Sequence, residues 1–238
     1  MRKAMKRILK TMLIFLLILI LVFGSLTAYV LWDNDRIVTN RQVFTFDNLP
    51  RAFDDVTIAF LTDFHNSQNH RQVIANMKEA NPAYIFIVGD LISMDDADLS
   101  NTEALLKGLV EIAPVYYTYG NHEVWSEVQG ERPVKAADLA ELLGVQVLND
   151  RTVALKKGGE TIDVAGICDL GYPDGDSHYT DHMTEKLETL SASAKPDVFT
   201  IALFHRANQI ELLQDFPCDL ILSGHTHGGH VNLPGIQE

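Results

Sequence analysis

The sequence predicts an α/β fold built on a parallel sheet and preceded by one membrane-spanning helix. Three observations carry this. Short apolar runs rich in β-branched residues alternate with helix-period segments through the first half of the chain. Two turn pairs, Asn149-Asp150 and Gly158-Gly159, punctuate closely spaced apolar runs in the middle third. A stretch without charge, Thr11 to Trp32, lies near the amino terminus.

The elements follow in order. Arg2, Lys3, Lys6, Arg7 and Lys10 form a basic leader over residues 1–10, and residues 11–32 are long and apolar enough to cross a bilayer as helix. Asp33 and Asp35 come next, and basic residues before a span with acidic ones after it orient the amino terminus toward the cytoplasm and the remainder outward. Met12 to Phe23 also resembles the h-region of a cleavable signal peptide, with small Gly24, Ser25, Thr27 and Ala28 behind it. Tyr29 to Trp32 prolong the apolar stretch past any cleavage site and favour a retained anchor. A buried core helix would carry a polar stripe, whereas this one is apolar all round.

A catalytic domain is expected over residues 41–238. Val43 to Phe46 reads as a first short strand, and Asp47 to Asp55 as a turn region containing Pro50. Val56 to Leu61 is a strand, Gln72 to Ala80 a helix ending at Asn81-Pro82, and Tyr84 to Val88 a second strand. A helix from about Thr102 to Ile112 and a strand at Val115 to Thr118 complete the alternation. Beyond it, Val145 to Leu148, Thr152 to Leu155 and Thr161 to Gly166 read as hairpin strands of a second, more antiparallel sheet. Helices are expected at Val134 to Leu143 and His182 to Leu190, strands at Val198 to Phe204 and Asp219 to Ser223, and an amphipathic helix at Arg206 to Gln214.

At 238 residues and 47% hydrophobic content the chain can bury a substantial core. Setting aside the five basic leader residues leaves 14 bases against 32 acids, a formal charge of −18 on the rest. That balance disfavours nucleic acid and anionic headgroups as partners, so a phosphorylated substrate would need local cations to approach. Cys168 and Cys218 have no CxxC spacing and do not read as a zinc knuckle; two free buried thiols are expected, though export would permit a disulfide.

Five segments close the apolar runs: Asp63-Phe64-His65, Gly89-Asp90, Gly120-Asn121-His122-Glu123, Phe204-His205 and Gly224-His225-Thr226-His227. Ligands of open α/β sheets bind beyond the carboxyl ends of the strands, and Asp63, Asp90, Asn121, His205 and His225 each lie within three residues of such an end. Glycines immediately before Asp90, Asn121 and His225 suit tight turns or close approach to a ligand. Singly these motifs are weak, since Gly-Asp is commonly a turn and a lone histidine is commonly a satisfied polar residue. Their joint occurrence reads as a metal site.

Together the five segments resemble the motif set of the calcineurin-like metallophosphoesterase superfamily over roughly Val56 to His230. The amino-terminal apolar segment and the Gly224 to Gly229 ending also resemble its membrane-associated bacterial branch, which includes relatives of the UDP-diacylglucosamine diphosphatases. The resemblance implies a four-layer αββα sandwich and two divalent ions, manganese, iron or zinc. By motif, Asp63, His65 and His227 would hold one ion, Asn121, His205 and His225 the other, and Asp90 would bridge them. It further implies that a hydroxide between the ions attacks phosphorus while His122, unligated, assists at the phosphate. Carboxylate, amide and imidazole ligands suit first-row divalent ions.

Departures from the pattern are expected to matter. Ser93 stands where many relatives carry an aspartate that orients the histidine, which leaves two alternatives: Glu123, Asp95 or Asp96 substitutes for it, or His122 is simply a weaker acid. His230, where near relatives often have glutamine, reads as solvated or substrate-facing, and His70, His178 and His182 read as exposed. Only eleven residues follow His227, so the second sheet is expected to be trimmed or the carboxyl end incomplete, with Val231 to Leu233 as an unpaired edge. The expected function is that of a membrane-anchored, extracytoplasmic phosphoesterase acting on a phosphorylated small molecule or a lipid-linked substrate. Two alternatives stay open: an anchored metal-binding module without turnover, and a metal hydrolase of amides or thioesters.

Overall fold

A computed structural model describes residues 2–34, 36–129, 136–173, 175–195 and 197–227. His230 and Val231 to Leu233, singled out above, lie outside the described residues. The chain divides into two compact units, Met1–Gln42 and the part from Val43 onward.

Among the described residues the first unit holds a single helix, α1 (Arg2–Asn34), whose segment from Thr11 to Trp32 is uncharged around its whole circumference. Its large side chains are exposed, from Met5 to Trp32. At about 1.5 Å per residue such a helix exceeds the ~30 Å of a bilayer core. Tyr29 and Trp32 pack at 6.0 Å near its end, and the Arg36 guanidinium lies 5.2 Å from the Trp32 ring centroid.

The second unit is built from two sheets. One has the order β1 (Ile58–Leu61), β2 (Tyr84–Val88), β3 (Val115–Thr118), β4 (Gln146–Val147), all parallel. The other has the order β5 (Arg151–Lys157), β6 (Glu160–Ile167), β7 (Thr200–Arg206), β8 (Leu220–Gly224), antiparallel only between β5 and β6. The helices are α2 (His70–Ala80), α3 (Ser100–Val110), α4 (Asn121–Gln129), α5 (Ala136–Leu142) and α6 (Ser177–Ser191).

Strand periodicity assigns the layers. In β2, Ile85 and Ile87 face a core shared with Val73 and Met77 of α2 and with Leu105, Leu106 and Leu109 of α3. Phe86 and Val88 face the other way, against Val164, Ile201 and Leu203 of the second sheet. In β7 the alternate residues, Ala202 and Phe204, pack on Tyr179, Met183 and Leu187 of α6. Because successive side chains point to opposite faces, strands buried on both sides read as unbroken apolar runs, and the result is four layers, αββα. Helix α2 stops as expected: Asn81 takes a left-handed conformation, its N–H returns to the Met77 and Lys78 carbonyls, and Pro82 cannot continue the helix.

Several expectations are corrected. Val43 to Phe46 is not a strand; Phe46 instead packs edge-on against Phe199 at 5.0 Å, so its apolar character serves a core contact. The Val145 to Leu148 run holds β4 and joins the parallel sheet, so Asn149-Asp150 is a crossover between sheets and Gly158-Gly159 makes the only hairpin turn among the described strands. The segment after β7 is a 3-10 helix, Ala207–Leu213, kinked at Gln209, rather than an amphipathic α-helix. Helix α4 stands where the sequence pattern predicts no helix. His178 and His182 are exposed, whereas His70 is half-buried. Both cysteines are half-buried free thiols.

Candidate metal centre

The carboxyl ends of β1, β2, β3, β7 and β8 bring Asp63, His65, Asp90, His122, His205, His225 and His227 to one place, and Asn121 precedes His122 at the start of α4. Three overlapping groups have ligand atoms within 4.8 Å of one another: Asp63, His65 and His227; His65, Asp90 and His122; and Asp90, His205 and His225. His205 Nε2 lies 3.1 Å from Asp90 Oδ2 and 3.9 Å from Asp63 Oδ1. On the more open side, His65 Nε2 is 3.3 Å from His227 Nε2, and His227 Nε2 is 3.5 Å from Asp63 Oδ1.

Backbone geometry at the site is unusual. Asp63, His65, Asp90, His225 and His227 all have positive φ, between 48° and 73°. Each such residue costs roughly 1–2 kcal/mol relative to ordinary backbone, a concentration of strain that marks functional sites. The glycines before the ligands are required by space. A Cβ on Gly89 would strike the His205 ring and Gly120 Cα, one on Gly120 would strike Asp90, and one on Gly224 would strike Thr62 and Asp63.

Hydrogen bonds fix which atoms face the centre. His205 Nδ1 lies 2.9 Å from the Val88 carbonyl and must donate to it, which in the neutral ring leaves the Nε2 lone pair facing the Asp90 carboxylate. Two acceptors at 3.1 Å demand a proton or a metal cation between them. Nε2 has no aligned hydrogen-bond partner and Asn121 Oδ1 has none at all, although both atoms are buried. Without a metal, burial opposes charging of His205, but Asp90 and Asp63 outweigh it and push its pKa up to about 9. Burial likewise opposes ionisation of Asp90, yet His205 and the His122 backbone N–H hold its carboxyl below the ordinary value. Asp63 accepts the His225 N–H on both oxygens, at 3.1 and 3.0 Å. Orphaned buried atoms, clustered carboxylates and imidazoles with fixed tautomers suit divalent first-row ions.

Glu123, entirely buried, does not orient His122, contrary to one expectation above. Its carboxylate accepts three backbone N–H groups: Asp90 at 2.9 Å and Gly120 at 2.8 Å on one oxygen, Ile92 at 3.1 Å on the other. It thereby ties the loop after β2 to the loop after β3. Burial, reinforced by repulsion from Asp90, pushes its pKa up to about 7. His122 is oriented instead by the Met94 N–H, which donates to Nδ1 at 3.0 Å. The neutral ring therefore carries its proton on Nε2, 4.0 Å from Asp90 Oδ2. Ser93 Oγ sits 3.2 Å from His65 Nδ1, and Asp96 accepts the Ser93 N–H at 2.6 Å.

Residues 56–229 match the family described as Calcineurin-like phosphoesterase. The chain belongs to this family. It is 26% identical over 209 residues to the phosphodiesterase YaeI of Escherichia coli, covering 85% of this chain and 70% of that one. It is 30% identical over 195 residues to a bovine transmembrane protein with metallophosphoesterase domain, covering 77% and 43% of the two chains. The chain thus spans about half the length of several curated relatives it matches. The crystal structure of TT1561 from Thermus thermophilus shares the fold, with a TM-score of 0.51 at 14% identity over 71% of this chain and 81% of that one. This member of the family has the four-layer fold described above and a clustered His/Asp set able to bind metal.

Two buried residues beside the centre have no functional role in the sequence reading, which places Arg206 only at the start of a helix. Arg206 and Asp169 form an ion pair with both side chains only 1% exposed. A signal is present in the sequence: Arg206 directly follows a predicted ligand histidine at the end of an apolar strand, where an unpaired charge could not be tolerated.

Proposed function

We propose that this chain is a membrane-anchored phosphoesterase with two divalent ions, hydrolysing a phosphoester or diphosphate bond. Asp63, His65 and His227 would hold the outer ion and Asn121, His205 and His225 the inner one, with Asp90 placed to serve both. The observation that carries this reading is a pair of buried, orphaned atoms, Asn121 Oδ1 and His205 Nε2, the second of them 3.1 Å from the Asp90 carboxylate. Bound divalent ions supply Lewis acidity at the phosphoryl oxygens and lower the pKa of water.

The chain's own residues do the rest. Asp90 Oδ1 accepts the His122 N–H at 3.0 Å, so the residue that anchors the ions also fixes the start of α4. His122 presents its Nε2–H to the centre and donates a hydrogen bond to a phosphoryl or leaving-group oxygen. Half-burial of His65 and His122 leaves that face open to substrate.

Residues 1–10 stay in the cytoplasm, residues 11–32 cross the membrane, and a catalytic domain over residues 41–238 lies outside; the basic-before, acidic-after charge pattern and the exposed apolar helix support this. A lipid-linked phosphate or diphosphate is the substrate class that an anchored domain meets at highest concentration. Equal turnover on soluble nucleotides and lipid diphosphates would remove the preference.

The deciding experiment uses the full chain in detergent with manganese and a chromogenic phosphodiester. Hydrolysis is expected in the wild type, lost together with bound metal in Asp90→Ala, and lost with metal retained in His122→Ala. Equal metal loss in both variants, or no hydrolysis by the wild type, would overturn the reading.

A further inference from the structure

Helix α4 carries two predicted site residues in its first turn, and Trp125, three residues beyond His122, faces a loop the catalytic reading does not use. The Trp125 ring centroid is 5.2 Å from that of His122. The Trp125 indole N–H donates to the Gly171 carbonyl. Gly171 has φ +68°, and a Cβ there would press on Val124 and Trp125, so the loop approaches α4 as closely as backbone permits.

That loop is latched from beneath. Asp169 accepts the Gly171 N–H at 2.7 Å, and its two oxygens take Arg206 Nε at 2.6 Å and Nη2 at 3.2 Å. The same Nη2 reaches the Tyr172 carbonyl at 2.7 Å, and the guanidinium lies 4.7 Å from the Tyr179 ring centroid. The loop is thus tied to β7, one residue beyond His205. A buried ion pair contributes little net stability, since well-packed apolar residues often match it. What it supplies is a fixed position for backbone groups on both sides, here the Gly171 carbonyl.

Resting on the phosphoesterase reading, we infer that Trp125 is a positioning residue for His122, pinned by the Gly171 carbonyl through the Asp169–Arg206 latch. The Met94 N–H fixes one edge of the imidazole and the Trp125 ring fixes a second direction, so Nε2 is held toward the centre. Without the indole the imidazole keeps the Met94 amide and the His65 ring, whose centroid lies 4.7 Å away, but gains room to turn from that amide on the side the indole filled.

The test uses the full chain in detergent with Trp125→Phe, which keeps a ring but loses the N–H, and Trp125→Leu, which loses both. The primary readout is the nitrogen NMR signature of His122, assigned by its disappearance in His122→Asn. Wild type is expected to show the single Nε2–H tautomer, Trp125→Leu a mixture, and Trp125→Phe an intermediate pattern. With manganese content unchanged, kcat on a chromogenic phosphodiester is expected to fall about 10- to 100-fold in Trp125→Leu and less in Trp125→Phe, with KM little altered. An unchanged His122 signature in Trp125→Leu overturns the inference, as does a kcat loss that merely follows metal loss or a wild-type kcat in both variants. If the wild type hydrolyses nothing, the phosphoesterase reading fails, while the tautomer still decides whether Trp125 positions the ring.

Discussion

The two halves of the centre are built differently. On the inner side Asp90, Asn121 and His205 are 2%, 2% and 1% exposed, and backbone confines the cluster: the Val88 carbonyl behind His205, the His122 N–H on Asp90, and glycines with no room for a Cβ. On the outer side the His65 and His227 side chains are 22% and 41% exposed and face each other, nitrogen to nitrogen, with Ser93 behind one of them. A site whose ligands are fixed before the ion arrives loses little entropy on binding it, whereas ligands that must be ordered from solvent lose more. On the proposed reading the inner position is therefore the tighter one, and the outer position the one that exchanges.

The largest expected effect tests the rigidity of the inner half. Gly89→Ala combines positive φ with a collision against His205 and should cost about 2–4 kcal/mol together with metal binding, read by urea unfolding and metal analysis. Gly144→Ala, at φ +89° but with open space around it, is the control and should cost only the backbone strain, about 1–2 kcal/mol. Comparable losses in the two would mean that close packing behind His205 is not what holds the inner half.

Next comes the asymmetry itself. His205→Ala should abolish turnover and the inner ion, while His227→Ala should retain about one equivalent of metal at limiting concentration, as measured by elemental analysis after gel filtration. The reverse order of retention would invert the comparison. Graded chelation of the wild type sharpens it further: an outer ion should leave first with little loss of thermal stability, and removal of the inner one should lower the melting temperature.

The smallest expected effect concerns Ser93. Ser93→Ala removes the group behind His65 Nδ1 and should weaken the outer ion by about tenfold or less, with the inner ion untouched. Ser93→Asp would place a carboxylate there and should tighten it; a calorimetric manganese titration reads both. The same residue motivates the alternative of an anchored module without turnover, which loses support because the Met94 amide already orients His122 without an aspartate.

Strands β2 and β3 match the sequence reading residue for residue, since both are buried and bounded by Asn-Pro, Gly or Pro. The His and Asp side chains that the structure gathers are ones the sequence singles out, because they follow the ends of apolar runs; the gathering is observed, while their roles belong to the proposal. Val43 to Phe46 misleads because a short apolar run has the same composition whether it pairs as a strand or packs one aromatic into a core. Helix α4 is hidden because Gly120-Asn121-His122 has turn composition and the start of the helix is set by Asp90 accepting the His122 N–H. The place of β4 depends on which neighbour its few residues meet, and two residues are too short for periodicity to specify.

The sequence by itself determined the α/β class, the apolar leading helix and which polar side chains end the apolar strands, because periodicity, charge-free length and residue type are local properties. Only the tertiary structure decided that Glu123 binds three backbone amides rather than His122, that the Met94 amide fixes the imidazole tautomer, and that Arg206 and Asp169 latch a loop against Trp125. Apart from the Gly120 amide, three positions from Glu123, those choices join residues separated by 28 positions, as for Met94 and His122, to 46, as for Trp125 and Gly171. No local pattern encodes which amide or carbonyl a buried side chain will find across such a separation.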